Sequence, residues 1–233
     1  MDSSHQRAKC KYEEIRMPRP DFEDLPFFKR PDLTPYLIHL TKNTKADDDY
    51  SAFENLVSIL QNGKIFGSKK EKGFIKGPHR AACFMDVPFY SLKYILNEEN
   101  SQPSNPRYEA FGVFVTKKHA YQEGCRPVLY LSNEESKQLC IPKGDLWRVV
   151  RFEAGDEGWI SWLHEREWRC KGSYELPRNA GVLVKNSTYV DRLNGLIRKE
   201  PKEFKVHPRT IIPLTILCQG LPQLPQKKKK RKR

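Results

Sequence analysis

Apolar segments of strand length alternate along this chain with short amphipathic helical patterns, and turn residues separate them. Strand-like segments occupy residues 36–41, 64–67, 82–85, 110–115, 127–131, 146–152, 180–184 and 210–217, and another leads into Trp168. Helical patterns occupy residues 52–62, 86–96, 117–123, 132–139 and 188–197. Because small helices interrupt the strands irregularly, the pattern predicts an α+β fold rather than a doubly wound parallel sheet.

The length of 233 residues fits one domain of ordinary size with appendages. Residues 1–35 are polar and rich in proline, which predicts an N-terminal arm. We expect this arm to pack over the domain through Phe22, Leu25, Phe27 and Phe28. Residues 36–218 form the predicted domain. Residues 219–233 are predicted to be a disordered basic tail, because the Gly-Leu-Pro-Gln-Leu-Pro-Gln segment at 220–226 cannot form a regular element.

The chain is strongly basic, with a formal net charge of +13. The last seven residues, 227–233, are all basic, and the rest of the chain carries the remaining +6. Such a tail binds polyanions independently of sequence, and it is also typical of nuclear-localisation-like signals and of solubility features. The basic body favours a nucleic-acid or nucleotide partner.

The cysteine pattern and the hydropathy restrict the class of protein. The six cysteines are scattered, without Cys-x-x-Cys spacing or a histidine at zinc spacing, which predicts reduced thiols and no structural metal site. No apolar run approaches the roughly 20 residues that a membrane span needs, and the N-terminus lacks a secretory pattern. We therefore expect a cytoplasmic protein that does not associate with membranes.

Two glutamates one residue apart, Glu165 and Glu167, lie in a stretch bracketed by tryptophans. If this stretch is extended, side chains alternate between faces, and Glu165, Glu167 and Arg169 share one face. Two carboxylates about 7 Å apart on one wall of a cleft suit acid–base chemistry. A salt-bridged edge strand, with Glu165 paired to Arg169, explains the same residues.

Several short motifs follow one another in a fixed order. They are His-Leu-Thr at 39–41, Asn-Leu-x-x-Ile-Leu-x-x-Gly at 55–63, Cys-Phe-Met-Asp-Val-Pro-Phe-Tyr at 83–90, a Tyr-x-x-Phe-Gly strand at 108–115, Pro-Val-Leu-Tyr at 127–130 and Glu-x-Glu-Trp-Arg at 165–169. This succession resembles the DarT-type nucleic-acid ADP-ribosyltransferases. It also resembles the AbiGi-type abortive-infection proteins of phage defence, and this second match is closer and spans about residues 36–170.

The resemblance implies an ADP-ribosyltransferase-like fold, in which a split antiparallel sheet with short helices clasps NAD⁺ as the substrate. Breaking the nicotinamide–ribose bond develops positive charge on the ribose, and a carboxylate stabilises it. Glu167 matches the final acid of the motif and is the implied catalytic carboxylate. Glu165 is implied to orient or deprotonate the acceptor.

The same resemblance assigns candidate NAD⁺-binding residues. His39 and Thr41 lie where such enzymes hold the adenosine-side ribose. An aromatic residue that stacks on nicotinamide is expected, and both Tyr90 and Tyr108 are candidates. Arg80 is the candidate for the arginine of the NAD⁺ cleft. No Gly-rich phosphate loop is present, so side chains and strand backbone would hold the diphosphate.

These residues lead to three functional hypotheses. The first is an ADP-ribosyltransferase toxin or defence effector that moves ADP-ribose from NAD⁺ to DNA or RNA, with a protein side chain as another acceptor. The second is a non-catalytic, antitoxin-like protein that binds a cognate toxin or a nucleic acid. The third is a metal-dependent nuclease built on Glu165 and Glu167.

Structural roles also explain the candidate residues one by one. His39 on an apolar strand is typical of a buried histidine with a satisfied hydrogen bond. Asp86 before Val87-Pro88 suits a helix N-cap. The tryptophans at 159, 162 and 168 suit a core, although one of them could stack on a base or on nicotinamide.

Overall fold

The computed structural model describes residues 30–44, 50–68, 75–97, 100, 107–155 and 158–218. Within them, four strands form the larger sheet in the order β1–β4–β12–β13: β1 Tyr36–Leu40, β4 Gly112–Thr116, β12 Gly181–Val184 and β13 Ile211–Pro213. The β1–β4 and β4–β12 pairs are antiparallel. The β12–β13 pair is parallel, because a helical crossover returns the chain to the same end of the sheet.

A second sheet has the order β3–β10–β5, with β3 Ala81–Phe84, β10 Trp168–Lys171 and β5 Arg126–Pro127 all antiparallel. The two sheets meet where β1 passes the end of β3. There Ile38 and Met85 exchange both backbone hydrogen bonds, at 3.0 and 2.8 Å. We call this meeting point the seam. The α+β class and the split, largely antiparallel sheet are thus confirmed.

Three two-stranded sheets complete the strand pairings of the described residues. They pair β2 Lys64–Ile65 with β11 Tyr174–Glu175, β6 Leu129–Leu131 with β7 Val149–Arg151, and β8 Glu153–Gly155 with β9 Gly158–Ile160. The β6–β7 pair is parallel and the other two are antiparallel. The predicted strand 127–131 is divided at Val128, whose N–H donates to the carbonyl of Glu167 at 3.1 Å.

The helices are short: α1 Ala52–Asn62, α2 Leu92–Ile95, α3 Lys117–Gln122, α4 Asn133–Gln138, α5 Ser187–Lys199 and α6 Leu214–Leu217. Helix α1 begins with a capping box between Ser51 and Glu54 and ends at Gly63, whose φ of 64° fits the left-handed cap predicted there. The predicted cap of α4 is also confirmed, since Ser132 and Glu135 form a capping box.

Several predicted segments differ from the structure. The segment 86–96 is not one helix, because a 3₁₀ turn at Phe89–Ser91 precedes α2. Asp86 is not its N-cap and instead pairs with Lys117, at 2.8 Å. A 3₁₀ helix over residues 143–148 takes the first three residues of the predicted strand 146–152, and β7 takes the next three. Residues 214–217 are helical beyond the edge strand β13.

The core lies on both faces of the larger sheet. One cluster joins Leu37, Val113 and Val182 to α1 and α5, and a second joins Ile38, Phe114 and Leu183 to α2 and α6. These alternate residues of the strands face opposite sides, as strand geometry requires. Most of the predicted N-terminal arm, with its four apolar anchors, and the whole predicted tail lie outside the described residues.

Among the described residues, no helix is long and apolar enough to cross a bilayer.

Candidate active site

Two cavities adjoin each other on the surface beside the seam. The smaller, about 270 Å³, contains Glu165, Glu167 and Arg169 in its lining, and the larger, about 490 Å³, contains His39 and Thr41. Four residues line both cavities: Lys42, Ser68, Arg107 and Tyr108. The cavities therefore form one cleft, with two cationic side chains at the junction. The larger cavity falls within the roughly 300–1,000 Å³ that small-molecule sites span, and the smaller lies just below that range.

The Glu-x-Glu segment is not extended, contrary to the sequence-based prediction. A 3₁₀ turn covers Leu163–Glu165, Arg166 is left-handed with φ 44°, and β10 begins only at Trp168. The Arg166 side chain holds this turn by donating to the carbonyls of Asp86 and Asp32, at 2.7 and 2.6 Å. Strand geometry, which predicted that the two glutamates share one face, therefore does not apply to this segment.

Glu167 is buried and forms an ion pair with Arg169 rather than the predicted Glu165–Arg169 pair. Arg169 Nε and Nη2 lie 2.7 and 3.1 Å from the two carboxylate oxygens of Glu167. Nη1 of Arg169 donates to the carbonyl of Trp147, at 2.8 Å. Burial opposes the charge on Arg169, but the adjacent Glu167 carboxylate outweighs burial and raises the arginine's pKa.

Glu165 has a different partner, although it lies two residues from Glu167. It is buried, and its Oε1 accepts a hydrogen bond from the hydroxyl of Tyr108 at 2.5 Å. Burial raises the pKa of Glu165, the Tyr108 hydrogen bond opposes that rise, and the Glu167 charge adds to it. Burial and the Glu165 carboxylate raise the pKa of Tyr108, so Tyr108 remains a hydrogen-bond donor.

The walls of the smaller cavity combine an aromatic ring with a cation. The Arg107 guanidinium lies over the Trp162 ring, 4.2 Å from its centroid. Cys83 lies on β3 directly opposite Arg169 of β10 and also lines this cavity. Burial, followed by the Glu167 charge, raises the pKa of the Cys83 thiol, which therefore stays protonated at neutral pH.

His39 presents a neutral imidazole to the larger cavity. Its Nδ1 lies 2.8 Å from the carbonyl of Cys83. A carbonyl only accepts hydrogen bonds, so Nδ1 carries the proton and Nε2 remains an acceptor. Burial lowers the pKa of His39, and this effect outweighs the hydrogen bond to Cys83. His39 thus has the buried hydrogen bond expected of a structural histidine, and its Nε2 can still accept a hydrogen bond from a ligand hydroxyl.

Thr41 lines the same cavity, but its hydroxyl proton has partners within the protein. Its Oγ1 lies 2.7 Å from the carbonyl of Ala52 and 3.2 Å from that of Phe111. The Thr41 side chain thus links the end of β1 to the start of α1 by a hydrogen bond. Only the lone pairs of this oxygen remain for a ligand.

Neither of the two remaining candidates is among the described residues that line the cleft. Tyr90 lies on the 3₁₀ turn and donates its hydroxyl proton to the carbonyl of Pro31. Arg80 is exposed, and its backbone carbonyl accepts a hydrogen bond from Gly172. Of the two tyrosines proposed to stack on nicotinamide, the structure therefore places only Tyr108 in the cleft.

Sequence reasoning missed the two cations of the junction. Lys42 directly follows the His-Leu-Thr motif and Arg107 directly precedes Tyr108, so proximity to those motifs was the available signal. Tyr130 belongs to the motif at 127–130 but had no predicted role in the site; its hydroxyl accepts the backbone N–H of Glu167 at 2.9 Å and so fixes the glutamate's backbone. Within the described ranges, no group of three or more His, Cys, Asp or Glu residues could hold a metal ion.

No protein-family model and no curated protein matches the chain. Among solved structures, DarT from Thermus sp. 2.9 in complex with carba-NAD⁺ is similar at 13% identity and a TM-score of 0.42, over 77% of this chain and 96% of that one. The complex of the same protein with NAD⁺ is similar at 12% identity and a TM-score of 0.43, over the same shares. This similarity is too distant to transfer a residue's role to the chain.

Proposed function

We propose that this chain is an ADP-ribosyltransferase that uses NAD⁺ as its substrate and moves ADP-ribose to a nucleic acid, as a cytoplasmic toxin or phage-defence effector. One observation carries the proposal. A single cleft joins two buried carboxylates, Glu165 and Glu167, to the imidazole of His39 through a junction lined by Lys42 and Arg107.

The chemistry of a dinucleotide fits this order of side chains. The adenosine-side ribose would donate a hydroxyl proton to Nε2 of His39 in the larger cavity. The diphosphate would lie at the junction, since Lys42 and Arg107 are the cations common to both cavities. The nicotinamide riboside half would then occupy the smaller cavity, beside the carboxylates.

The bond that breaks joins nicotinamide to the ribose C1′, and its electron pair leaves with nicotinamide. A carboxylate in a site with little water stabilises the positive charge that develops on the ribose. Glu167 is the proposed source of this stabilisation, because Arg169 and Tyr130 fix its side chain and its backbone. Glu165 would take the proton from the acceptor as the new bond to C1′ forms, and its raised pKa suits a general base.

The choice of a nucleic-acid acceptor rests on charge. The chain has a formal net charge of +13, which favours a polyanionic partner. A protein acceptor uses the same chemistry at C1′, so the acceptor is a separate experimental question.

A second candidate function is a non-catalytic, antitoxin-like binding protein, and one observation favours it. Both carboxylate oxygens of Glu167 already accept hydrogen bonds from the buried Arg169. A ribose hydroxyl would have to share an oxygen with the arginine. In this alternative, the ion pair is a structural element of a fold that no longer performs catalysis.

The deciding experiment incubates the purified protein with adenylate-labelled NAD⁺ and, separately, single-stranded DNA, duplex DNA, RNA or cell lysate. The variants are Glu165→Gln and Glu167→Gln. The matched control is Glu175→Gln, which alters a glutamate paired with Lys64 outside the cleft. Label transfer to one class of acceptor, lost in both cleft variants and kept in the control, supports catalysis and names the acceptor.

Two further readouts separate the alternatives. Calorimetry with NAD⁺ tests the substrate, and absence of both binding and transfer in the folded protein overturns the transferase proposal. Nucleic-acid cleavage that requires Mg²⁺ or Mn²⁺ and continues without NAD⁺ would instead identify a nuclease.

A further inference from the structure

Two cysteines lie opposite each other where β5 pairs with β10. In the register of this pair, Trp168 faces Pro127 and Arg169 faces Arg126. Continued by one residue, the same register brings Cys125 opposite Cys170. The edge strand β5 and the central strand β10 thus each place a thiol at the same level of the sheet.

The hydrogen-bond pattern defines the geometry of this cysteine pair. Val128 N–H donates to the carbonyl of Glu167, which makes these two residues a hydrogen-bonded pair. Such pairs alternate with non-hydrogen-bonded pairs, so Cys125 and Cys170 occupy a non-hydrogen-bonded position. Opposite Cα atoms there lie about 4.5 Å apart. Disulfides span Cα distances of roughly 4.4–6.8 Å.

The side chains also meet. Each thiol lies close enough to the other to affect its pKa. Cys170 Sγ lies 3.4 Å from the carbonyl of Glu123, which confirms that it points toward the segment containing Cys125. Both residues are free thiols in the structure, and both belong to the main core cluster.

We propose that Cys125 and Cys170 form an oxidisable dithiol site that peroxide converts to a disulfide. Cys170 attacks an oxygen of hydrogen peroxide, the O–O bond breaks, and a sulfenic acid and one water form. The Cys125 sulfur then attacks the Cys170 sulfur, the S–S bond forms, and the sulfenic oxygen leaves as a second water. Two thiols are oxidised and one peroxide is reduced to two waters.

The thiol environments support this order of events. The neighbouring Cys125 thiol lowers the pKa of Cys170, whereas the Cys170 thiol and burial raise the pKa of Cys125. Cys170 is therefore the better nucleophile, because the thiolate is the reactive form. Oxidant can reach the pair through local opening, since β5 is a two-residue strand at the edge of its sheet.

The site does not depend on the proposed transferase activity. The cysteine pair is nevertheless adjacent in sequence to a residue of the cleft, because Cys170 directly follows Arg169, the partner of Glu167. A disulfide would fix the edge strand to the strand that carries this arginine. Formation of the disulfide would thus attach β10, the strand that carries Arg169, covalently and reversibly to β5.

Peptide mapping of the whole chain tests the proposal. The protein is treated with hydrogen peroxide, alkylated, and its monomeric fraction is digested with trypsin. Trypsin does not cut the bond between Arg126 and Pro127, so we expect residues 119–137 joined to residues 170–171 as the predominant linked species. Reduction should remove this species. Monomer in which both cysteines remain alkylated, or in which Cys170 is only a sulfinic acid, would overturn the proposal.

A stability measurement provides a second readout. Closing the loop between the two cysteines restricts the unfolded chain, so the oxidised protein should unfold at higher urea than the reduced protein. Cys218→Ser, which alters another buried thiol, should keep this shift, and Cys125→Ser should lose it. If Cys125→Ser does not fold, the peptide map of the unmodified sequence still decides. If oxidation still raises the urea concentration of unfolding in folded Cys125→Ser, the Cys125–Cys170 disulfide is contradicted.

Discussion

Arg169 and Glu167 form a two-pronged ion pair in the interior of the protein, with Nε–Oε1 at 2.7 Å and Nη2–Oε2 at 3.1 Å. Arg169 is only 2% exposed. Removing one partner of such a pair leaves a buried charge without compensation, and the loss greatly exceeds that of an exposed pair. The pair is therefore a structural element of the cleft, whatever its role in catalysis.

We expect Arg169→Met to lower the free energy of unfolding by about 3–5 kcal/mol, because it isolates the Glu167 carboxylate. Urea unfolding at neutral pH measures the change. Arg151→Met is the matched control, since it removes an exposed arginine paired with Glu153, and it should cost much less. Adding Glu167→Gln to Arg169→Met should restore part of the loss. Equal effects of the two arginine substitutions would contradict the buried-pair account.

Tyr108 can be tested for two different roles in one experiment. Its hydroxyl donates to Glu165 and lowers the pKa of that carboxyl. Tyr108→Phe should therefore raise the pKa of Glu165 further and move the acidic limb of the transfer pH–rate profile to higher pH. If Tyr108 instead acts by stacking on nicotinamide, Phe should preserve function and Ala should weaken NAD⁺ binding. Tyr121→Phe, at an exposed tyrosine outside the cleft, should change neither quantity.

Glu165 makes the stability of the protein depend on pH. Burial raises its folded-state pKa above the ordinary 4.5, so the folded protein keeps a proton that the unfolded chain releases. The free energy of unfolding should therefore fall as pH rises from 4.5 through the raised pKa. We expect Glu165→Gln to lack this loss, so that its stability relative to wild type increases over the same window. Parallel stability curves for the two proteins would show that the carboxyl is not desolvated.

His39→Asn tests the proposed ligand atom of the imidazole. The asparagine side-chain N–H can replace Nδ1 as donor to Cys83, but nothing replaces Nε2. We expect calorimetry to give an NAD⁺ affinity up to about tenfold weaker, the value of one hydrogen bond. His39→Gln, which places its polar end nearer to Nε2, should retain more affinity and lose stability. The opposite ranking would make His39 purely structural.

The same histidine contributes a second pH dependence of opposite sign. Burial lowers its folded-state pKa below the ordinary 6.5, so the unfolded chain binds a proton that the folded protein excludes. Stability should be lost as pH falls from 6.5 through the lowered pKa. His39→Asn should remove this loss. Urea unfolding of both proteins across this window measures the difference.

Lys42 and Arg107 are expected to bind the diphosphate of NAD⁺. Replacing either by alanine should weaken NAD⁺ binding about tenfold at low salt and reduce its salt dependence. Nicotinamide riboside, which lacks the diphosphate, should bind both variants as it binds wild type. Lys118→Ala removes an exposed lysine of α3 outside the cleft and serves as control. If the variants lose equal affinity for the dinucleotide and for the riboside, then Lys42 and Arg107 contact a part of the ligand other than the diphosphate.

The sequence predicted those parts of the molecule that local rules determine. The left-handed Gly63, the Ser132 capping box and the strand carrying His39 all depend on residues adjacent in the chain. The α+β class followed from the same short-range patterns. The cleft around His39 and the two glutamates was predicted only through motif order.

Long-range contacts determine the features that local patterns could not predict. The extended Glu-x-Glu segment fails because Arg166 reaches carbonyls 80 and 134 residues away, and this holds a turn that no neighbouring residue specifies. Thr41 lies in the cleft, but distant carbonyls take its hydroxyl proton. Tyr90 belongs to the motif at 83–90 and Arg80 lies just before it, but position along the chain does not determine which side of a turn a side chain occupies.

The left-handed backbone of Arg166 places this position under two opposed selective pressures. Glycine or asparagine would relieve the backbone, because both adopt positive φ more readily than arginine. Either change would also remove the guanidinium bonds to Asp32 and Asp86. Selection for thermal stability alone could therefore enrich glycine here, whereas selection for a correctly placed Glu165 should retain arginine. Comparing the variants recovered from these two screens would show how far backbone strain is tolerated to keep the turn.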